Sequence, residues 1–489
     1  MKMLRVLGLG LVVMLAWAGS SQAQTWTSLT NQPTFLTDTA VLLTDGTVMT
    51  HQYNSPNWWR LTPDNTGSYI NGTWTQLASM PSNYKPLYFA SLILRDGKVL
   101  VEGGEYNNLV QDETNLGAIY DPVANAWTAV NPPTGWTEIG DSPAIVLANA
   151  IPLLGQNETK KWATFNESTL TWTVSTGTGK ADNFEEEGFV QLPDTSILTV
   201  DSSDAKNAER YLPPASQNKW INAGTTPAPL SDPGSLEIGP LILRPDGTVF
   251  AMGAKSSGAG HTAVYTPPTS HTGTGTWVAG PDFPGNNDMA DAPASILPDG
   301  NVLCEVSPGI FGSPVSFYEF DGTQFNSVPN PAKVGSDNTS YEGRLLALPN
   351  GQVLFVPADG KTNFAAIYTS NGSANPNWAP TITKFSSTIT HGSVNNKIGG
   401  TQFNGLSNGA AYGDDAGMNS NYPIIRITNN ATGHVFYAKT HTFSTMGVAT
   451  GTKVVNTQFD VPSTIETGAS TLEVVANGIA SQPVSVTIN

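Results

Sequence analysis

Short apolar runs, each followed by a polar turn and a second apolar run, recur along most of the chain. Five copies read AVLLTDGTVMT, SLILRDGKVLVEGG, LILRPDGTVFAMG, ASILPDGNVLCEV and LLALPNGQVLFVP, and two weaker ones read IVLANAIPLLG and VQLPDTSILTV. Apolar runs flanking Asp-Gly or Asn-Gly predict hairpins, because a two-residue loop needs positive φ at both central positions. The second turn residue of each copy is Gly46, Gly97, Ala150, Thr195, Gly247, Gly300 and Gly351, at spacings of 51, 53, 45, 52, 53 and 51 residues.

Two further strand-like runs follow each hairpin, and each carries an aromatic anchor. The third-strand anchors are Trp59, Tyr120, Phe165, Tyr211, Tyr265, Tyr318 and Tyr368; the fourth-strand anchors are Trp74, Trp127, Trp172, Trp220, Trp277 and Phe325. At these regular positions the rings are expected to pack between neighbouring sheets rather than to stack on a ligand. Four strands in every ~50 residues predict an all-β fold, a seven-bladed kelch-like β-propeller over residues 24–379. The seventh unit lacks a fourth strand before Pro380, whereas Trp26-Thr27-Ser28-Leu29 resembles the fourth-strand segments WTQLAS and WTAVNP. Residues 24–34 are therefore expected to complete the last blade and leave no open edge.

The rhythm changes at Pro380. Alternating runs such as YPIIRITN, HVFYAKTH, NTQFDVP, STLEVVANG and PVSVTIN predict an immunoglobulin-like β-sandwich over 380–489, interrupted by a Gly/Asn-rich loop at 399–421.

Composition and charge narrow the setting. Gly 48, Pro 35 and Trp 12, with only 12% charged residues, suit a turn-rich β protein and not a disordered one. Lys2 and Arg5, the apolar run Val6 to Ala18 and the small residues of Ser21-Gln22-Ala23 predict a signal peptide over 1–23, cleaved near Ala23. A secreted, periplasmic or cell-surface location follows, and no later run is long enough to cross a bilayer as a helix. Loss of Lys2 and Arg5 takes the formal charge from −17 to −19, which disfavours nucleic acid and anionic membranes as partners. Cys304 is the only cysteine, so no disulfide can form within the chain.

In a propeller the first residues of each innermost strand gather at one rim of the central channel. Counting back from the turns reaches Asp38, Asp141, the run Glu185-Glu186-Glu187, Glu237, Asp291 and Glu342, while the second unit offers Tyr88 with Lys85 nearby. Such an acidic rim could hold Ca²⁺, which takes six to eight oxygen ligands. It could equally hold a cationic or polyhydroxylated ligand, or consist of solvated carboxylates that accept backbone hydrogen bonds. Neither a Gly-rich phosphate loop, a G-x-S-x-G elbow nor an H-E-x-x-H helix is present.

From about residue 25 to the C-terminus the repeats, the surviving Gly103-Gly104 doublet and the following sandwich resemble the galactose oxidase and glyoxal oxidase group of kelch propellers. They also resemble secreted bacterial proteins with an early-set sandwich. That resemblance implies a copper site built from a tyrosine crosslinked to a cysteine, a second tyrosine followed by a histidine, and a histidine on a sandwich loop. Tyr341 matches the second tyrosine, but Glu342 stands where its histidine belongs; His441 in Lys439-Thr440-His441-Thr442 matches the loop ligand. Cys304 lies beyond a hairpin turn and away from the rim, and Phe443 stands where relatives carry a further histidine. A Tyr–Cys radical copper site is therefore not expected.

What remains as candidate chemistry is a catalytic set of Tyr341, Glu342 and His441. The corresponding metal set is His441 with Glu342, Asp291 and Glu237, able to hold Ca²⁺ or a transition metal. His441 could instead lock the sandwich onto the propeller. The functional expectation is a binding or surface-interaction module for a glycan or an extracellular protein. The alternatives are a metal-dependent oxidoreductase that uses a His441–carboxylate channel site, and a structural cell-surface or matrix component.

Overall fold

A computed structural model describes residues 24–214, 217–408, 410–412 (backbone only) and 421–489; the expected signal peptide at 1–23 lies outside the described residues. Seven antiparallel sheets follow one another along the chain and share one strand order. Their first strands are Thr37–Leu42, Ala90–Ile93, Ala144–Val146, Val190–Gln191, Leu241–Leu243, Pro293–Ile296 and Gly343–Ala347. The sequence dictates which strand lies inside. These first strands are almost wholly buried, whereas fourth strands such as Thr73–Gln76 and Thr276–Ala279 expose three of their four residues and half-bury only the tryptophan. First strands of neighbouring sheets touch: the first beside the seventh, the seventh beside the sixth, the sixth beside the fifth, the fifth beside the fourth, and the third beside the second.

Several of the expected anchors pack between sheets: Trp127 of the second meets Trp58 of the first at 5.6 Å, and Tyr211 of the fourth meets Trp162 of the third at 5.7 Å. In the first sheet Trp58 takes the buried place expected of Trp59, which stacks on Phe35 at 4.6 Å instead. The seventh sheet takes its outer strand from the start of the chain: Thr25–Ser28 pairs antiparallel with Ala366–Thr369, Trp26 opposite Tyr368.

The hairpin turns refine the expectation. All seven marker residues have positive φ, from +67° at Ala150 and +72° at Thr195 to +86° at Gly300, but the Asp or Asn before each does not. In the first turn Gly46 N–H donates to Leu43 O, and Leu43 N–H to Thr47 O. That is a three-residue loop ending in a left-handed bulge residue, not the two-residue loop expected. The physical reason is the Asp side chain: Asp45 Oδ1 accepts from Thr47 N–H at 3.0 Å, as Asp96 does from Lys98, Asp246 from Thr248 and Asp299 from Asn301.

The C-terminal part is one nine-stranded sheet, eight strands in a path with Ile479–Ala480 paired beside it, that curls over its own core; strand Val435–His441 pairs on both sides. Ile398 and Phe459 of one half face Ile425, Ile427, Leu472 and Val474 of the other. It rests on the hairpin-turn end of the seven sheets. Thr440 N–H donates to Thr44 O, Thr442 to Arg95 O, Met446 to Ala148 O and Asn408 to Leu243 O, while Val448 N–H donates to Gln191 Oε1. Part of the Gly/Asn-rich loop runs inward, where Ala410–Tyr412 adds an edge to the sixth sheet beside Pro293–Ser295.

Candidate binding site

With one end of the ring covered, the other end carries an open central cavity of about 380 Å³. Its acidic lining comes from residues just before the first strands, namely Asp141, Glu186, Glu237 and Asp291, joined by Glu105. The aromatic lining is Tyr53, Tyr88, Tyr106, Phe311 and Tyr341. Tyr341 stands edge-on to Phe311 at 4.8 Å and to Tyr88 at 6.3 Å. Two rim residues reach the cavity through left-handed backbone, Tyr88 at φ +52° and Asp291 at φ +46°. Arg344 holds the Tyr341 carbonyl from behind with a 2.7 Å hydrogen bond.

Glu186, Glu237 and Asp291 come from three consecutive sheets and each offers an oxygen within 4.8 Å of the others. Burial and mutual repulsion raise the pKa of Glu186 and Glu237 far above the carboxylate range. Burial also lifts Glu105, to about 7, with the charges of Glu113 and Asp291 adding to it.

Four of the sequence-derived rim carboxylates, together with Tyr88, therefore share one cavity, and the remaining rim residues do not. Asp38 is buried between His51 Nδ1 at 2.8 Å and Arg344 at 3.5 Å. Glu187 belongs to a separate cage around Lys180, 3.2 Å away. Glu342 turns aside to accept hydrogen bonds from Asn338 Nδ2 and Thr339 N–H, and Glu185 and Lys85 do not line the cavity.

His441 is the main correction. Its Nε2 lies 3.0 Å from Asp460 within the C-terminal part, and its neighbours Thr440 and Thr442 bond to the first two hairpin turns. It thus sits at the end of the ring opposite the carboxylates and does not meet Tyr341, Glu342, Glu237 or Asp291. The reason is the chain path, because the segment that enters the ring is the one around 410–412. Glu105, Tyr106, Tyr53 and Phe311 were missed by sequence reasoning. All of them follow second strands, and only the Gly103-Gly104 doublet, at φ +74° and +125°, marked a sharp turn there.

The residues present do not fit a copper-radical centre. None of the six histidines lines the cavity, and His51, His261, His271, His434 and His441 each face a carboxylate elsewhere. Cys304 is fully buried on a second strand with its Sγ 3.6 Å from Met252 Sδ, and burial pushes its thiol pKa up.

Comparison with known proteins accords with the architecture. The Kelch-like protein terF of Aspergillus terreus is 28% identical over 118 residues, covering 22% of this chain and 25% of that protein. The chain thus matches about a quarter of that relative's length. A fungal alcohol oxidase of the AA5 family, solved in complex with copper, superposes with a TM-score of 0.52 over 95% of this chain and 98% of its own, at 12% identity. The fold is a kelch-type, galactose oxidase-like β-propeller. A streptogramin B lyase structure covers 71% of this chain and 97% of its own at 10% identity, with a TM-score of 0.46. No known family profile matches the sequence.

Proposed function

We propose that this protein is a secreted binding module that takes a polyhydroxylated ligand, a glycan, into the central cavity of a seven-bladed propeller. In this reading residues 1–23 direct export and are removed, and residues 380–489 form an immunoglobulin-like early-set domain that closes the opposite end. The observation that carries it is the lining of the cavity: five carboxylates and five aromatic rings, with no histidine, cysteine or lysine among them. Carboxylates accept hydrogen bonds from sugar hydroxyls, and aromatic faces cover the apolar faces of sugar rings. A binding pocket needs nothing more, whereas oxidation by copper would need nitrogen ligands that this cavity lacks.

A glycan array followed by calorimetry on the hits tests the reading. Binding should weaken in Tyr88→Ala and Tyr341→Ala, while a change of Lys384 on the far domain should leave it intact. Silence across the array, or binding indifferent to both tyrosines, overturns it.

A further inference from the structure

We propose that Leu109 and Phe311 form an apolar lip on the cavity, and that the ligand is a glycan or glycoside carrying a hydrocarbon chain, alkyl or acyl, beside its hydroxyls. The inference rests on the cavity being the glycan site and narrows the class of glycan it takes.

Exposure grades the lining. Asp141 and Glu237 are 7% and 8% exposed, whereas Phe311 is 36% and Leu109 58% exposed, and all four line the one cavity. Carboxylates thus stand at the floor and hydrocarbon at the mouth. That order suits a ligand whose hydroxyls enter first and whose apolar chain trails over the edge.

The two mouth residues are held there against the preference of their backbone. Leu109 has φ +62° and Phe311 φ +55°, a region that bulky side chains seldom enter. Neither offsets that strain by entering a core, since both face solvent. Strained backbone of this kind gathers at ligand sites, where the surrounding structure imposes it.

Leu109 is carried on a built arm. Tyr106–Asn107 pairs with Val110–Gln111 on one side and with Pro86–Leu87 on the other, in a small three-stranded sheet that the second unit alone carries among the described residues. Lys85 fastens it. Its N–H donates to Asn107 Oδ1 at 2.8 Å, its Nζ donates to Asn108 Oδ1 at 2.9 Å, and its carbonyl accepts from Asn108 N–H at 3.1 Å. Beyond the turn, Gln111 Nε2 donates to Glu105 Oε1 at 3.1 Å. The arm is therefore fixed on both sides of Leu109. In the sixth unit Phe311 stands edge-on to Tyr341 at 4.8 Å, which places its ring beside the sugar-facing tyrosine. A hydrocarbon chain laid over Leu109 and Phe311 would take their exposed surface, and its own, out of water.

The test is calorimetry on the full chain with the methyl and n-octyl β-glycosides of glucose, galactose and N-acetylglucosamine, the octyl compounds kept below their micelle concentrations. For at least one sugar the octyl form should bind at least ~10-fold tighter than the methyl form. That ratio should fall to near one in Leu109→Asn and in Phe311→Asn. Leu109→Asn should also melt no lower than the wild type, because asparagine accepts left-handed backbone; a clear fall in melting temperature would show that the fold, not the ligand, keeps Leu109 in place. Equal binding of methyl and octyl forms, or an octyl preference that survives both substitutions, overturns the lip. The glycan reading then still stands if methyl glycosides bind and weaken in Tyr88→Ala and Tyr341→Ala. Octyl binding that ignores the sugar and both tyrosines, yet weakens in the two lip variants, supports the lip and overturns the glycan. Silence of all six compounds overturns the lip even where the array finds a sugar.

Discussion

Gly46 lies under the ring of Tyr437 so closely that a Cβ on the glycine would come within 2.5 Å of the tyrosine Cγ. The contact is at the root of the ring, so the side chain cannot swing clear without moving its strand. Gly247 occupies the equivalent turn of the fifth sheet at φ +84°, and a Cβ there would meet nothing within 4 Å. Gly247→Ala should therefore lose only the left-handed strain, about 1–2 kcal/mol. Gly46→Ala, at φ +76°, should lose that and more, because it also wedges the C-terminal part off the first turn. Denaturant titration of both variants checks this, and equal losses would show that the Tyr437 contact does not hold the two parts together.

Those turns also mark how far the sequence could be read. The repeat was visible because every hairpin needs one residue at positive φ, and Ala150 and Thr195 adopt it where glycine is missing. The acids at Asp141, Glu186, Glu237 and Asp291 were legible for the same reason, since counting back nine or ten residues from each turn reaches one rim. Glu105 and Phe311 were not, because they follow second strands in connections of unequal length. His441 misled for a different cause. A local motif fixes a residue on a loop, but which loop enters the ring depends on packing between distant segments, here Ala410–Tyr412 against Pro293–Ser295.

Lys180 is a buried cation held by four carboxylates, Asp182, Glu187, Asp201 and Glu209, with its ammonium 5.0 Å from the ring of Phe184. Replacing it with methionine keeps the volume and strands the acids, which should cost about 3–5 kcal/mol at pH 7.5. Lower pH should reduce that loss. Burial already lifts Asp201 to about 7, and without the lysine the neighbouring acids will hold protons more firmly still. Denaturation of wild type and Lys180→Met at pH 7.5 and pH 5 reads the effect; a loss independent of pH would mean that packing, not charge, is what the lysine supplies.

Asp288 gives a pH dependence of definite sign. It is fully buried, accepts backbone hydrogen bonds from Ala290 and Lys255 at 3.1 Å each, and is raised by burial to about 6. A carboxyl whose folded pKa exceeds its unfolded value of 3.8 stabilises the fold fully below pH ~4 and loses that contribution as pH rises through ~6. Over that window the group should remove about 3 kcal/mol, at 1.36 kcal/mol per unit. Asp288→Asn should flatten this part of the stability–pH curve. An unchanged slope in the variant would assign the titration to other acids.

Trp26 closes the seventh sheet from the far end of the chain. Its ring meets Tyr368 at 4.9 Å, Phe317 at 5.3 Å and Phe355 at 5.7 Å, and its Nε1 donates to Pro329 O at 2.7 Å. Because the ring is only half-buried, Trp26→Ala should cost about 2–3 kcal/mol, below the range for a fully buried tryptophan. Deleting residues 24–29 should do something the point change does not. It bares the backbone donors and acceptors of Ala366–Thr369, an edge that invites pairing with another chain. Thermal melts should rank the deletion below Trp26→Ala, and light scattering should rise with concentration for the deletion alone. If the truncated protein stays monomeric and melts with the wild type, the strand Thr25–Ser28 adds nothing to closure, and the remaining strands of the seventh sheet must hold the ring by themselves.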